Sequence, residues 1–169
     1  MARPIAMARF DSGWPLAGST ATVVSALVLG LAAMAEGLPF WMPLNATSHG
    51  LHGEAAAGVL ALDFSHTGLG ALIHVAACFF WAAVAVLMLR RVRQRRRTPA
   101  WVARLGAALL AGLVDYGLMP ARLTPGWELV LPPAGVVLGL AGMGVGIALG
   151  LLAAQFLFGR HAMAGTSGP

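Results

Sequence analysis

The chain has no lysine, a single cysteine, a single tyrosine and only six acidic residues among its 169. The lone cysteine, Cys78, excludes an intrachain disulfide and any CxxC metal or redox motif. Charged residues make up 10% of the chain, whereas a soluble domain carries about 25%. A chain this poor in charge cannot cover the surface of a soluble domain of its length. The missing lysine leaves eleven arginines and a net charge of +5. These arginines flank apolar runs and do not form a basic face. That excludes a nucleic-acid partner and points to topology signals and lipid-headgroup contacts.

What is present is hydrophobic, 59% of all residues, and it comes in long runs. Crossing a hydrocarbon core takes about 20 helical residues. Four runs qualify, at 17–35, 67–89, 102–119 and 133–158. The predicted fold is therefore all-α, an integral membrane bundle of four transmembrane helices. Its parts are an N-terminal cytoplasmic segment (1–16), a transmembrane domain (17–158) and a disordered cytoplasmic tail (159–169). The domain holds an outer loop at 37–66 and an Arg-rich cytoplasmic loop at 90–101. Ten of the eleven arginines fall on one side of this arrangement, with Arg122 alone on the other. The positive-inside rule then puts both termini in the cytoplasm. An Ala-rich, Arg-only composition suggests a bacterial inner membrane, which makes the lone Asn-Ala-Thr sequon irrelevant. The rival reading of the first run is a cleavable signal peptide ending at Ala33-Met34-Ala35. Trp14, Trp41, Trp101 and Trp127 sit near span ends, as amphipathic rings prefer. Trp81 is mid-span.

The outer side collects the polar residues. NATSHGLHGE at 45–54 crowds Asn45, Thr47, Ser48, His49, His52 and Glu54 together. Glu36, Asp63, His66, Asp115, Arg122 and Glu128 lie on the same side. Residues 53–64 could form a short helix on the membrane surface. Pro125-Gly126 fits the centre of a type II turn.

Asp115 lies inside the third span, where a carboxylate calls for a partner. His74, at a similar depth in the second span, is the candidate. It shares a face with Thr67, Gly70, Ala71, Cys78 and Trp81 at three- and four-residue spacing. Gly70 leaves room there for a helix, a water or a ligand. The pair would be either structural glue or a ligand, proton or metal site, and an Asp115–Arg122 ion pair is a third option. His49-x-x-His52 with Glu54 could hold a divalent metal, completed by His66, Glu36 or Glu128. Haem is disfavoured because only one span carries an in-membrane histidine. No G-x-S-x-G elbow is present to suggest a nucleophilic triad. Gly142, Gly146 and Gly150 form a small-residue stripe for close helix packing, within the chain or in a homodimer or larger membrane complex.

NATSHG at 45–50, HTGLGALIH at 66–74 and DYGLMPARLTPGWE at 115–128 together resemble an uncharacterised family of small bacterial inner-membrane proteins with four predicted helices. The resemblance implies that Asn45, His49, His66, His74, Asp115, Arg122 and Glu128 form a set. It assigns them no chemistry. The leading expectation is an outward-facing pocket that binds or passes a small polar solute, proton or metal ion. His74 and Asp115 would lie at its base, with His66, Arg122, Glu128, Asn45 and Glu36 around it. The alternatives are a non-catalytic accessory or assembly subunit and, third, a small membrane enzyme.

Overall fold

The computed structural model describes residues 5–94 and 100–159 and, among them, contains helices and no strand. Four longer helices form the bundle: α1 (Ile5–Ala35), α4 (Leu69–Gln94), α5 (Ala100–Leu113) and α6 (Pro133–Gly159). Two short ones, α2 (Met42–Thr47) and α3 (His49–His52), sit in the first outer connection. The long helices are ordered α1, α4, α5, α6 around the bundle, and neighbours run antiparallel. Three stretches are long and apolar enough to cross a membrane: Gly13–Ala35, Phe64–Leu89 and Pro133–Ala154. The α5 region contributes a shorter apolar stretch, Ala108–Leu118. The arginines at 95–97, Arg3, Arg160 and the tail 160–169 lie outside the described residues.

Helix α1 shows why the bundle belongs in lipid. Ala17, Ala21, Ser25, Leu29 and Ala33 recur every fourth residue and are at most 1% exposed. Val23, Leu27, Leu31 and Met34 lie on the other face and are at least half exposed. A helix apolar on both its packed and its open face is stable where the surroundings are as apolar as the core. The helix begins at Ile5, well before the expected start at residue 17. It ends where Gly37 takes a left-handed conformation (φ 75°) and Leu38 N–H donates to Ala33 O.

The glycine stripe is used inside the chain. A β-carbon on Gly146 would lie 2.5 Å from Ala21 Cα, and one on Gly150 the same distance from Ala17 Cα. Without side chains there, α1 and α6 meet backbone to backbone. Thr20 Oγ1 donates to Gly146 O at 2.6 Å across the seam. The stripe thus faces α1, and self-association would need another surface. Gly70 likewise admits the Leu44 carbonyl of α2, so the space beside His74 holds protein.

Three further expectations change. Residues 53–64 do not form a surface helix. Glu54–Gly58 makes a 3₁₀ turn, followed by extended chain. Trp127 is buried at 4% exposure, not placed against headgroups, because its indole N–H donates to Thr47 Oγ1 at 3.1 Å. The expected third span is a shorter apolar helix, α5, and it ends in a π turn, Val114–Leu118, which carries Asp115 off a regular helical register.

Gly146→Ala should lower stability by about 1–3 kcal/mol, the usual range for overpacking, because backbone cannot yield to the new methyl group. Gly58→Ala, with nothing within 4 Å, should leave the thermal unfolding midpoint in detergent unchanged. An unchanged midpoint for Gly146→Ala would refute the seam.

Candidate functional site at the outer end of the bundle

The first outer connection is folded onto the bundle through Asn45, which is fully buried. Its amide donates to Val59 O (2.6 Å) and Ala61 O (3.0 Å), and its carbonyl accepts from Thr67 Oγ1. One side chain therefore joins α2, the extended chain after the 3₁₀ turn and the start of the second span. His49, 4% exposed, has Nδ1 3.0 Å from Ala46 O and Nε2 3.0 Å from Ala121 O. Both neighbours are acceptors. A neutral imidazole carries one N–H, so both contacts are hydrogen bonds only when the ring holds two protons. Gly126 (φ 77°, ψ 0°) fits the expected turn, and a β-carbon there would meet Ala46 O and His49 Nδ1 at 2.5 Å. The two outer connections are seated on each other.

His74 does not pair with Asp115. It is buried at 3% exposure, and its Nε2 lies 3.1 Å from Ser25 Oγ on α1. Ser25 has one hydroxyl proton and gives it to Ala21 O at 2.6 Å. The ring N–H therefore donates to Ser25, the reverse of a base activating a nucleophile. Cys78 Sγ completes the group, 3.7 Å from Ser25 Oγ and 3.8 Å from His74 Nε2. A neutral hydroxyl from α1 satisfies the imidazole without burying a carboxylate beside it. Of the expected shared face, Thr67, Gly70, His74, Cys78 and Trp81 are buried, and Ala71 lies at its edge, partly exposed.

Asp115 is half-buried and has no hydrogen-bond or ion-pair partner among the described residues. The Asp115–Arg122 ion pair is not formed, and Arg122 is exposed. Next to Asp115, the Tyr116 hydroxyl is buried and also lacks a hydrogen-bond partner among the described residues. The Glu128 carboxylate is the near acceptor for that phenol, short of a well-formed hydrogen bond, and Asp115 is the other charged group beside it. The Glu128 carboxylate accepts from Thr124 Oγ1, and Thr124 also donates to Ala121 O at 2.9 Å. Glu36 is exposed at the end of α1 and joins none of these groups.

The histidines of the opening decapeptide separate. His52 turns from His49 to stack on His66, with ring centroids 4.4 Å apart. His52 Nδ1 lies 3.2 Å from Ser48 Oγ and Nε2 lies 3.3 Å from Ser65 Oγ. His66 pairs with Asp63 at 3.0 Å. His49 has both nitrogens on backbone carbonyls, and Glu54 is exposed. The set His49, His52 and Glu54 thus does not converge. Among the described residues no three His, Cys, Asp or Glu side chains are grouped to hold a metal. The cause is the one-turn helix α3, which turns the two histidines to different neighbours. The Asp63 carboxylate also caps the turn before α4, accepting from His66 N–H at 2.6 Å. That backbone N–H, aided by the His66 ring, holds the Asp63 carboxyl below its ordinary range despite some desolvation.

No protein-family model, curated protein or solved structure matches the chain. Residue-level reading missed Ser25, Tyr116 and Asp63. Ser25 is the one hydroxyl on the buried stripe of α1, and its four-residue spacing from Ala21 and Leu29 marks it as inward-facing. Asp63 stands three residues before His66, the spacing of a capping residue.

Two outcomes are expected. Ser25→Ala should cost about 1–3 kcal/mol by leaving the His74 N–H buried and unpaired, and should move the His74 ring resonances. Asp115→Asn should leave those resonances in place; the opposite pattern would restore the original pairing. Asp63 stabilises the fold above its unfolded-state pKa, and this contribution is lost as pH falls through its lower folded-state value. Asp63→Asn should flatten that acid limb in thermal unfolding.

Proposed function

We propose that the chain is a four-span protein of a bacterial inner membrane, with both ends in the cytoplasm. Its outward-facing polar site binds or passes a small polar solute or cation. The site is the outer end of α5 and the turn that follows: Asp115, Tyr116 and Glu128, with Arg122 at the rim and the cap of α2 and α3 beside it. His74 braces α4 against α1 and does not enter the site. One observation carries the reading. The Tyr116 hydroxyl is out of contact with water and makes no well-formed hydrogen bond among the described residues, with the Glu128 carboxylate as its near acceptor and Asp115 beside it. An unsatisfied buried hydroxyl costs about 1–3 kcal/mol. Such a cost is sustained where a ligand or ordered water supplies the missing bond. The carboxylates favour a ligand that is cationic or rich in donors.

A second reading has its own support. Asn45, Thr47, Ser48 and His49 are all buried and bonded within the cap, which suits a rigid docking block of an accessory or assembly subunit. The resemblance carried by the 45–50, 66–74 and 115–128 segments is compatible with both.

Methylammonium titration separates the two readings. The unfolding midpoint of the parent protein should rise with methylammonium relative to equal sodium chloride. Asp115→Asn should weaken the effect about 10–100-fold, the worth of one charge-assisted hydrogen bond. Tyr116→Phe should also weaken it, yet be at least as stable as the parent without ligand. No shift in the parent favours the accessory reading. A loss of stability in Tyr116→Phe would show that the hydroxyl is already bonded.

A further inference from the structure

Between the 3₁₀ turn and the π turn Phe64–Gly68 that leads into α4, the chain is extended at Val59 and Asp63 and bends at Ala61. Three consecutive carbonyls of this stretch are tied down by side chains. Asn45 Nδ2 binds Val59 O and Ala61 O, and Trp41 Nε1 donates to Leu60 O at 3.1 Å. Leu60, Leu62 and Phe64 are open here, 58%, 65% and 97% exposed, with Ala61 and Ser65 exposed beside them. The Asp63 carboxylate lies within the row, 37% exposed, and is held by His66.

We propose that this row is an interfacial anchor, with Leu60, Leu62 and Phe64 seated in the acyl boundary of the outer leaflet. Three observations favour lipid as the occupant. Phe64 is the first residue of the apolar stretch Phe64–Leu89, so the row begins where that helix leaves the bilayer. Leu72 and Val75, further along the same stretch on α4, are also open apolar side chains, 67% and 37% exposed. The carbonyls behind the row are paired by side-chain N–H groups, a provision that a water-covered loop does not need and a water-poor boundary does. Trp41, partly exposed at the same level, has the amphipathic ring favoured there. The anchor rests on α4 crossing a bilayer and not on the Asp115 site, so either can fail without the other.

The test is site-directed spin labelling in liposomes. Leu60→Cys, Leu62→Cys and Phe64→Cys are labelled one at a time, with Ala55→Cys as the exposed control on the 3₁₀ turn. Cys78, 1% exposed, stays in place, and the unsubstituted chain is carried through labelling to verify its silence; Cys78→Ser is the fallback background. Each variant is first required to match the parent's unfolding midpoint. The ratio of collision with oxygen to collision with a water-soluble nickel chelate should exceed one at 60, 62 and 64, highest at 64, and fall below one at 55. Ratios below one at all three positions would place the row in water and overturn the anchor. Low collision with both reagents would mean that protein covers it, a second copy or another subunit, and would overturn it equally.

Discussion

Polar atoms removed from water must find partners inside the bundle, and this constraint arranges the outer half of the molecule. Asn45 illustrates it best. It is fully buried and uses both ends of its amide to tie α2 to two other segments. Because those bonds are satisfied only in one arrangement, the connection between α1 and α4 is a folded cap and not a loose loop. His74 obeys the same rule deeper in the bundle, where Ser25 meets it from α1. The glycine seam supplies the other half of the design. It brings α1 close enough to α6 for a threonine hydroxyl to reach a backbone carbonyl of the facing helix.

Against that background the unpaired groups stand out. At the outer end of α5 the buried Tyr116 hydroxyl makes no well-formed hydrogen bond, and the half-buried Asp115 carboxylate beside it has no protein partner among the described residues. The π turn that carries them is the kind of helix irregularity that often accompanies functional sites. This contrast, more than any single contact, separates the candidate site from the surrounding brace.

Periodicity made much of this legible from residues alone. The α4 face from Thr67 to Trp81 is buried as its spacing required, the glycines of α6 do admit a helix, and Pro125-Gly126 does make its turn. What could not be read were choices between equally plausible partners. Nothing in the spacing of His74 distinguishes a carboxylate on α5 from a hydroxyl on α1. Helical arithmetic assumes 100° per residue, and the π turn breaks it just where Asp115 sits. His49 and His52 are three apart, as ligands on one helix would be, but α3 is a single turn and gives them different neighbours. Trp127 looked like a headgroup residue because tryptophan near a span end usually is. A hydroxyl eighty positions earlier in the chain drew it inward.

Gly126 has a mechanical meaning. Its bare α-carbon lets the turn between α5 and α6 nest against Ala46 and His49, and His49 in turn reaches Ala121. The two connections at this end of the bundle are therefore packed as one unit. A side chain added at Gly126 would press on both at once, on Ala46 and His49 from one connection and on the turn that follows Asp115 and Tyr116 in the other.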